Sequence, residues 1–164
     1  MPIKIPGIAG WLKDMADNFT LLAPFFSGAA GLGGLRVARF EFDAGVAANR
    51  TIAAHGTGVT IPAHAIIVGG FFDVNTVFTS DATDAGTIAI HVQAANDIQT
   101  ASAVSGAPFS TIGRKAIVPK ANTPESTSVK TTVDREITCT VAVEALLSGK
   151  LTGYLYYVEG VASA

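Results

Sequence analysis

The longest apolar run in the chain, Ile61 to Phe78 (IPAHAIIVGGFFDVNTVF), constrains the fold more than any other stretch. Side chains of a strand alternate between faces. Read with that period, Ile66, Val68, Gly70, Phe72, Val74 and Phe78 share one face. Ile67, Gly69, Phe71, Asp73, Asn75 and Val77 share the other. The first set is nearly all apolar and the second is mixed, which predicts a long, largely buried strand. Pro62 has no N–H to give a ladder, so pairing is expected to begin after it. The diglycine Gly69-Gly70 predicts a bulge or bend, which would let one strand pair in two sheets.

The remaining segments are read against that strand. Arg36–Asp43 (RVARFEFD) alternates, with Ala38, Phe40 and Phe42 inward. Asn49–His55 reads as a weaker strand, and Gly56-Thr57-Gly58 as a turn. Asp81–Gly86 (DATDAG) reads as a polar turn; its acids raise calcium as the lesser alternative. Thr87–Gln93 alternates with Ile88, Ile90 and Val92 on one side. Ala94–Ser105 is irregular, with room for one helical turn. Ile112–Pro119 and Val129–Val133 read as short strands, and Lys120–Ser128 as a surface loop. Arg135–Glu144 places Ile137, Cys139, Val141 and Val143 inward. Leu146–Lys150 reads as a tight connection to a last strand, Leu151–Glu159, which makes these final strands expected antiparallel neighbours.

About eight strands at this spacing predict an all-β fold, an antiparallel two-sheet sandwich of jelly-roll-like form. The chain has 164 residues. That length fits residues 35–164 as the sandwich body and residues 1–34 as an N-terminal arm with a Gly-rich joint. In the arm, an extended lead precedes Ile8, Trp11, Leu12, Met15, Phe19 and Leu22, spaced as one apolar face of a helix that Pro24 ends. Ile5 and Phe25 extend the apolar set. Three roles stay open for the arm: docking on its own body, packing on a neighbouring subunit or scaffold, or lying on a membrane surface. Ser27–Leu35 (SGAAGLGGL) favours the second, since a helix meant for its own body needs no mobile joint.

Chemistry is sparse. Charged residues are 15% of the chain against 49% hydrophobic, and the net charge is −2. That balance gives no electrostatic case for nucleic acid or an anionic membrane. So little charge suits a protein that buries surface against partners. No stretch has the length and apolarity of a membrane span, and the first residues do not read as a signal peptide, which points to synthesis in the cytoplasm. Cys139 cannot form an internal disulfide and reads as a buried core residue. His55, His64 and His91 are scattered, so no metal site is expected. No nucleophile motif, phosphate loop or carboxylate pair is apparent, so no catalytic residue and no cofactor is expected. Tyr154, Tyr156 and Tyr157 could form a sugar platform, although aromatics on a strand more often pack across it.

Three stretches carry a resemblance: VTIPAHAIIVGGFFDVNTVFTS (59–80), TIAIHVQAANDI (87–98) and EITCTVAVEALLSGKLTGYLYYVEG (136–160). In their sequence of strands and turns they resemble a family of small structural proteins of tailed bacteriophages, the capsid decoration or cement proteins. The likeness covers roughly residues 36–160 and leaves the arm outside. It implies a β-sandwich that assembles as a homotrimer, or a dimer, on the outside of the head. There it would clamp neighbouring copies of the major capsid protein. On that reading the arm residues Ile5, Ile8, Trp11, Leu12, Met15, Phe19, Leu22 and Phe25 grip the partner. The rival expectations are a receptor- or glycan-binding module of a fibre or tail, and a tail-tube or connector subunit.

Overall fold

The computed structural model describes residues 34–120 and 128–160. The expected arm helix and most of the Lys120–Ser128 loop lie outside them. Two antiparallel sheets face each other. One is ordered β1 (Arg36–Asp43), β9 (Leu146–Val158), β3 (Ile66–Ser80), β6 (Gly113–Ile117), and the two-residue β7 (Val129–Lys130) also pairs with β3. The other is ordered β2 (Ala54–Ile61), β8 (Arg135–Ala142), β4 (Thr87–His91), β5 (Gln99–Ala103). The all-β, two-sheet expectation holds.

Most strands form where apolar alternation is cleanest. In β1, Ala38, Phe40 and Phe42 are buried, and in β8 Ile137, Cys139 and Val141 are. Between the sheets five phenylalanines meet. Phe42 lies 6.1 Å from Phe78, Phe78 lies 5.7 Å from Phe109, and Phe109 lies 5.6 Å from Phe72, centroid to centroid. Phe40 completes the set. Each such ring stabilises the fold by roughly 1.5–3 kcal/mol through removal from water. Phe109 comes from the Gly106–Ser110 loop, not from a strand, and its carbonyl accepts the Phe78 N–H at 3.4 Å.

β3 departs from the expected alternation. Ala65 and Ile67 are fully buried, whereas Val68 is 47% exposed. The register against β9 steps from Ile67 opposite Tyr157 to Gly69 opposite Tyr156, so Val68 is the extra residue of a bulge. A bulge shifts the side-chain phase by one. Before it the odd positions face in; after it Phe72 and Val74 do. Further irregularities between Val74 and Thr79 leave Phe78 inside. The bulge near the diglycine is as expected, but the shared strand is not. β3 pairs with β6, β7 and β9, all in one sheet. The bulge corrects phase within that sheet instead of turning the strand into the other.

Four further expectations are corrected. Residues 49–53 are not a strand: a 3-10 turn spans Ala47–Arg50, where Asn49 and Arg50 side chains bond the carbonyls of Asp43 and Ala44. Gly56-Thr57-Gly58 lies inside β2, where the pairing with β8 shifts register between Gly56 and Thr60. Gln99–Ala103 is a strand although it has no apolar alternation. Lastly, β8 and β9 are not neighbours. Residues 146–150 are part of β9 itself, and the connection between the two strands crosses from one sheet to the other. Val143 stands at that crossing with φ 71° and is 65% exposed, not inward. A left-handed backbone at a β-branched residue is uncommon, and here it turns the chain out of the sheet.

Candidate functional site

The outer face of the β1-β9-β3-β6 sheet gathers the chemically distinctive side chains of the body. Strand register sets them in rungs. Arg39 lies opposite Tyr154, which lies opposite Phe71, which lies opposite Ala116. The next rung is Glu41, Thr152, Asp73 and Arg114. Across the first, the Phe71 and Tyr154 rings stack at 4.8 Å and Tyr156 tilts against Phe71 at 6.1 Å. The Arg114 guanidinium stands 4.3 Å from the Phe71 centroid, a cation–π contact.

Charges on this face pair among themselves. Arg114 meets Asp73 at 3.3 Å, and Arg39 meets Glu41 at 3.3 Å. Lys150 reaches both Glu41 and Asp43. Beyond this face, at the end of the sheet, Arg36 meets Glu159 at 2.8 Å. The Lys150 hydrogen bond holds the Glu41 carboxyl below its ordinary range, and Glu41 in turn holds the Lys150 ammonium above its own. Asp43 is lowered chiefly by the Gly45 N–H it accepts at 2.7 Å. The result is a patterned surface that is neutral overall and has aromatics at its centre. Such a face fits a neutral protein partner better than a polyanion or polycation.

The tyrosines separate on this face. Tyr154 and Tyr156 lie with Phe71, while Tyr157 packs against the core. Cross-strand packing therefore accounts for them. The arm set, Ile5, Ile8, Trp11, Leu12, Met15, Phe19, Leu22 and Phe25, lies outside the described residues, and the structure neither gathers nor separates it.

The polar residues that might have carried chemistry are engaged in holding loops. Asp84 accepts the Ser80 N–H at 2.8 Å, and Asp81 accepts the Ala82 N–H at 2.9 Å. Glu144 bonds the hydroxyls of Thr83 and Ser80 and the N–H of Ala85; the Thr83 bond leads in holding its carboxyl below the ordinary range. These carboxylates face donors of the chain itself, as the turn reading of Asp81–Gly86 requires. Asp97, almost wholly buried, accepts the N–H groups of Val92, Gln93 and Ala94 between 2.7 and 2.9 Å. No sequence motif announced that clamp; its signal was an acid placed a few residues after a strand end.

Among the described residues no three His, Cys, Asp or Glu side chains converge as a metal site would need. His55 bonds the Thr51 carbonyl. His91 accepts the Asn96 N–H at Nδ1 and faces Thr140 Oγ1 at Nε2, so it is the Nε2–H tautomer, and burial pushes its pKa down. Cys139 is buried, with its thiol pushed up to about 12 by burial, so it is no nucleophile. No helix among the described residues is long and apolar enough to cross a membrane.

No protein-family model matches the chain, and no curated protein matches it in sequence. Solved structures do match it in shape. A chain in the capsid asymmetric unit of cyanophage Pam1 is similar with a TM-score of 0.54 and 18% identity, over 79% of this chain and 88% of that one. A chain in the acid-stable capsid of Helicobacter pylori bacteriophage KHP30 is similar with a TM-score of 0.51 and 12% identity, over 76% of this chain and 86% of that one. At such identities the shared property is the fold: the β-sandwich body of this protein is built like chains found in bacteriophage capsids.

Proposed function

We propose that this chain is a virion structural protein, a decoration or cement protein that binds the outside of a tailed-phage head and stabilises contacts of the major capsid protein. The observation that carries the reading is the shared fold with chains of two phage capsids. Coverage is high in both directions, so those chains are of similar length to this one. A chain this small suits an accessory of the shell. The work is binding free energy summed over many copies, which asks for no catalytic residue and no cofactor. In this reading residues 1–34 act as a separate arm. Its segment Ile3–Phe26 grips a capsid subunit or an adjacent copy, with Trp11 as anchor, because buried aromatics dominate interface energies.

The test uses heads assembled without this protein. Added full chain is expected to bind them and to raise the temperature at which they release DNA. Failure to bind overturns the reading. The chain lacking residues 1–30 is expected to stay folded and to lose head binding; undiminished binding would remove the arm from the mechanism. A glycan-binding module of a fibre or tail would instead retain carbohydrate in a glycan array and lose it on Tyr154→Ala or Tyr156→Ala.

A further inference from the structure

Among the described residues the two sheets end in the edge strands β1, β6 and the two-residue β7, and β2 and β5. An edge strand is a template for adding another strand unless something blunts it. All but β1 are blunted, β7 by its length of two residues. β2 carries a register shift between Gly56 and Thr60, with Gly58 at φ 75°. β5 caps itself: Asn96 Oδ1 accepts the Ala101 N–H at 3.1 Å, and Gln99 and Ser102 side chains donate to the Thr100 carbonyl. β6 is five residues long, begins at Gly113 with φ 107°, and is followed by Pro119.

β1 differs. It runs eight residues, in unbroken register with β9 from Arg36 to Asp43. It contains no proline, glycine or bulge. Its outward charges are of both signs, with Arg39 two residues before Glu41 and Asp43 beyond it. Like charges on an edge repel a second copy; this order attracts one. Antiparallel pairing of β1 with itself about Phe40 sets Arg39 of one copy opposite Glu41 of the other, twice by symmetry. It also brings exposed Leu35 and Val37 toward the Asp43–Val46 turn of the second copy, where Val46 is 53% exposed. Ile52, 58% exposed, lies in the same β1–β2 connection. Charge pattern and exposed apolar residues thus fit one arrangement.

We infer that β1 is the strand-addition edge of this protein and that its partner is a second copy, paired antiparallel about a two-fold axis at Phe40. The two β1-β9-β3-β6 sheets then join into one continuous sheet, and the interface is isologous. Registers one residue away would set inward against outward side chains. The register centred on Arg39 would face two arginines, and those centred on Glu41 or Phe42 would face acid with acid. The register centred on Phe40 is thereby selected. The inference concerns self-association in solution and stands apart from binding to heads.

The experiment measures mass by light scattering on the full chain over a wide range of concentration. A monomer–dimer equilibrium is expected. Arg39→Glu alone creates two Glu–Glu contacts, and Glu41→Arg alone creates two Arg–Arg contacts. Each is expected to weaken the dimer by about tenfold or more, since facing charges pass from attraction to repulsion. An equimolar mixture of the two variants restores complementarity at both contacts and is expected to recover the dimer as a heterodimer. That recovery also excludes misfolding as the cause of the losses. A wild-type chain that is monomeric throughout overturns the inference. So does an oligomer indifferent to both substitutions, or a mixture that fails to recover.

Discussion

Phe40 and Gly153 face each other across β1 and β9, and the Phe40 ring occupies the space that a side chain on Gly153 would need. The pair explains a glycine in the middle of a long strand, where it otherwise weakens the sheet. Gly153→Ala is expected to force the ring out of place and to cost about 1–3 kcal/mol, as overpacking does in a tight core. A lower urea midpoint with an unchanged slope would show it. A midpoint equal to wild type would mean that the ring shifts freely.

Asp97 is expected to be the most sensitive acid of the body. Asp97→Ala leaves the N–H groups of Val92, Gln93 and Ala94 without their acceptor, the first of them buried. A loss of about 2–3 kcal/mol follows from an unmet buried donor together with lost charge-assisted bonds. Asp97→Asn keeps one acceptor oxygen and is expected to fall between the two. Thermal unfolding of the three proteins checks the order.

Acid is expected to destabilise the body in two stages. The His91 pKa is depressed by burial, so the folded state resists a proton that the unfolded chain accepts. Its contribution is present above the ordinary imidazole pKa and is lost as pH falls below about 6.5. Glu144, Glu41 and Asp43 are also depressed, and their contribution is lost at lower pH, as it falls through the ordinary carboxyl range toward their folded values. Lys150 is raised, so its share is present at neutral pH and lost only in strong alkali. His91→Gln is expected to flatten the first stage and leave the second. Melting temperatures across the acid range would reveal whether the first step survives the substitution.

Cys139 is expected to ignore thiol reagents in the native protein. Its thiol is enclosed, and a pKa near 12 leaves almost no thiolate at neutral pH. Full labelling is expected once urea unfolds the chain. Labelling of the native protein at the rate of a free thiol would mean that β8 opens readily.

Much of the body was legible because apolar alternation and burial are two views of one constraint. Phe40 and Phe42 in β1, Ile88 and Ile90 in β4, and Ile137 and Cys139 in β8 were placed by period alone. The residues misplaced in β3 share one cause. Val68 and Ile67 exchanged faces because a bulge adds one residue to the count, and nothing in the local residue types marks which one. β5 was missed because Gln99–Ala103 is held by pairing to β4 and by its own side chains, not by buried apolar groups. The patterned outer face was half visible. Tyr154 and Tyr156 were singled out, but Phe71, Asp73 and Arg114 join them only through register with strands far along the chain.

By itself the sequence determined that this protein is an all-β body with apolar strands at these places, because side-chain period is a local property. Only the tertiary structure decided that β8 and β9, consecutive and close in sequence, belong to opposite sheets. It alone brought β1, β9, β3 and β6 side by side. Pairing depends on which distant strand offers matching edges and volume, as Phe40 finds in the empty place at Gly153, and no segment read in isolation carries that information.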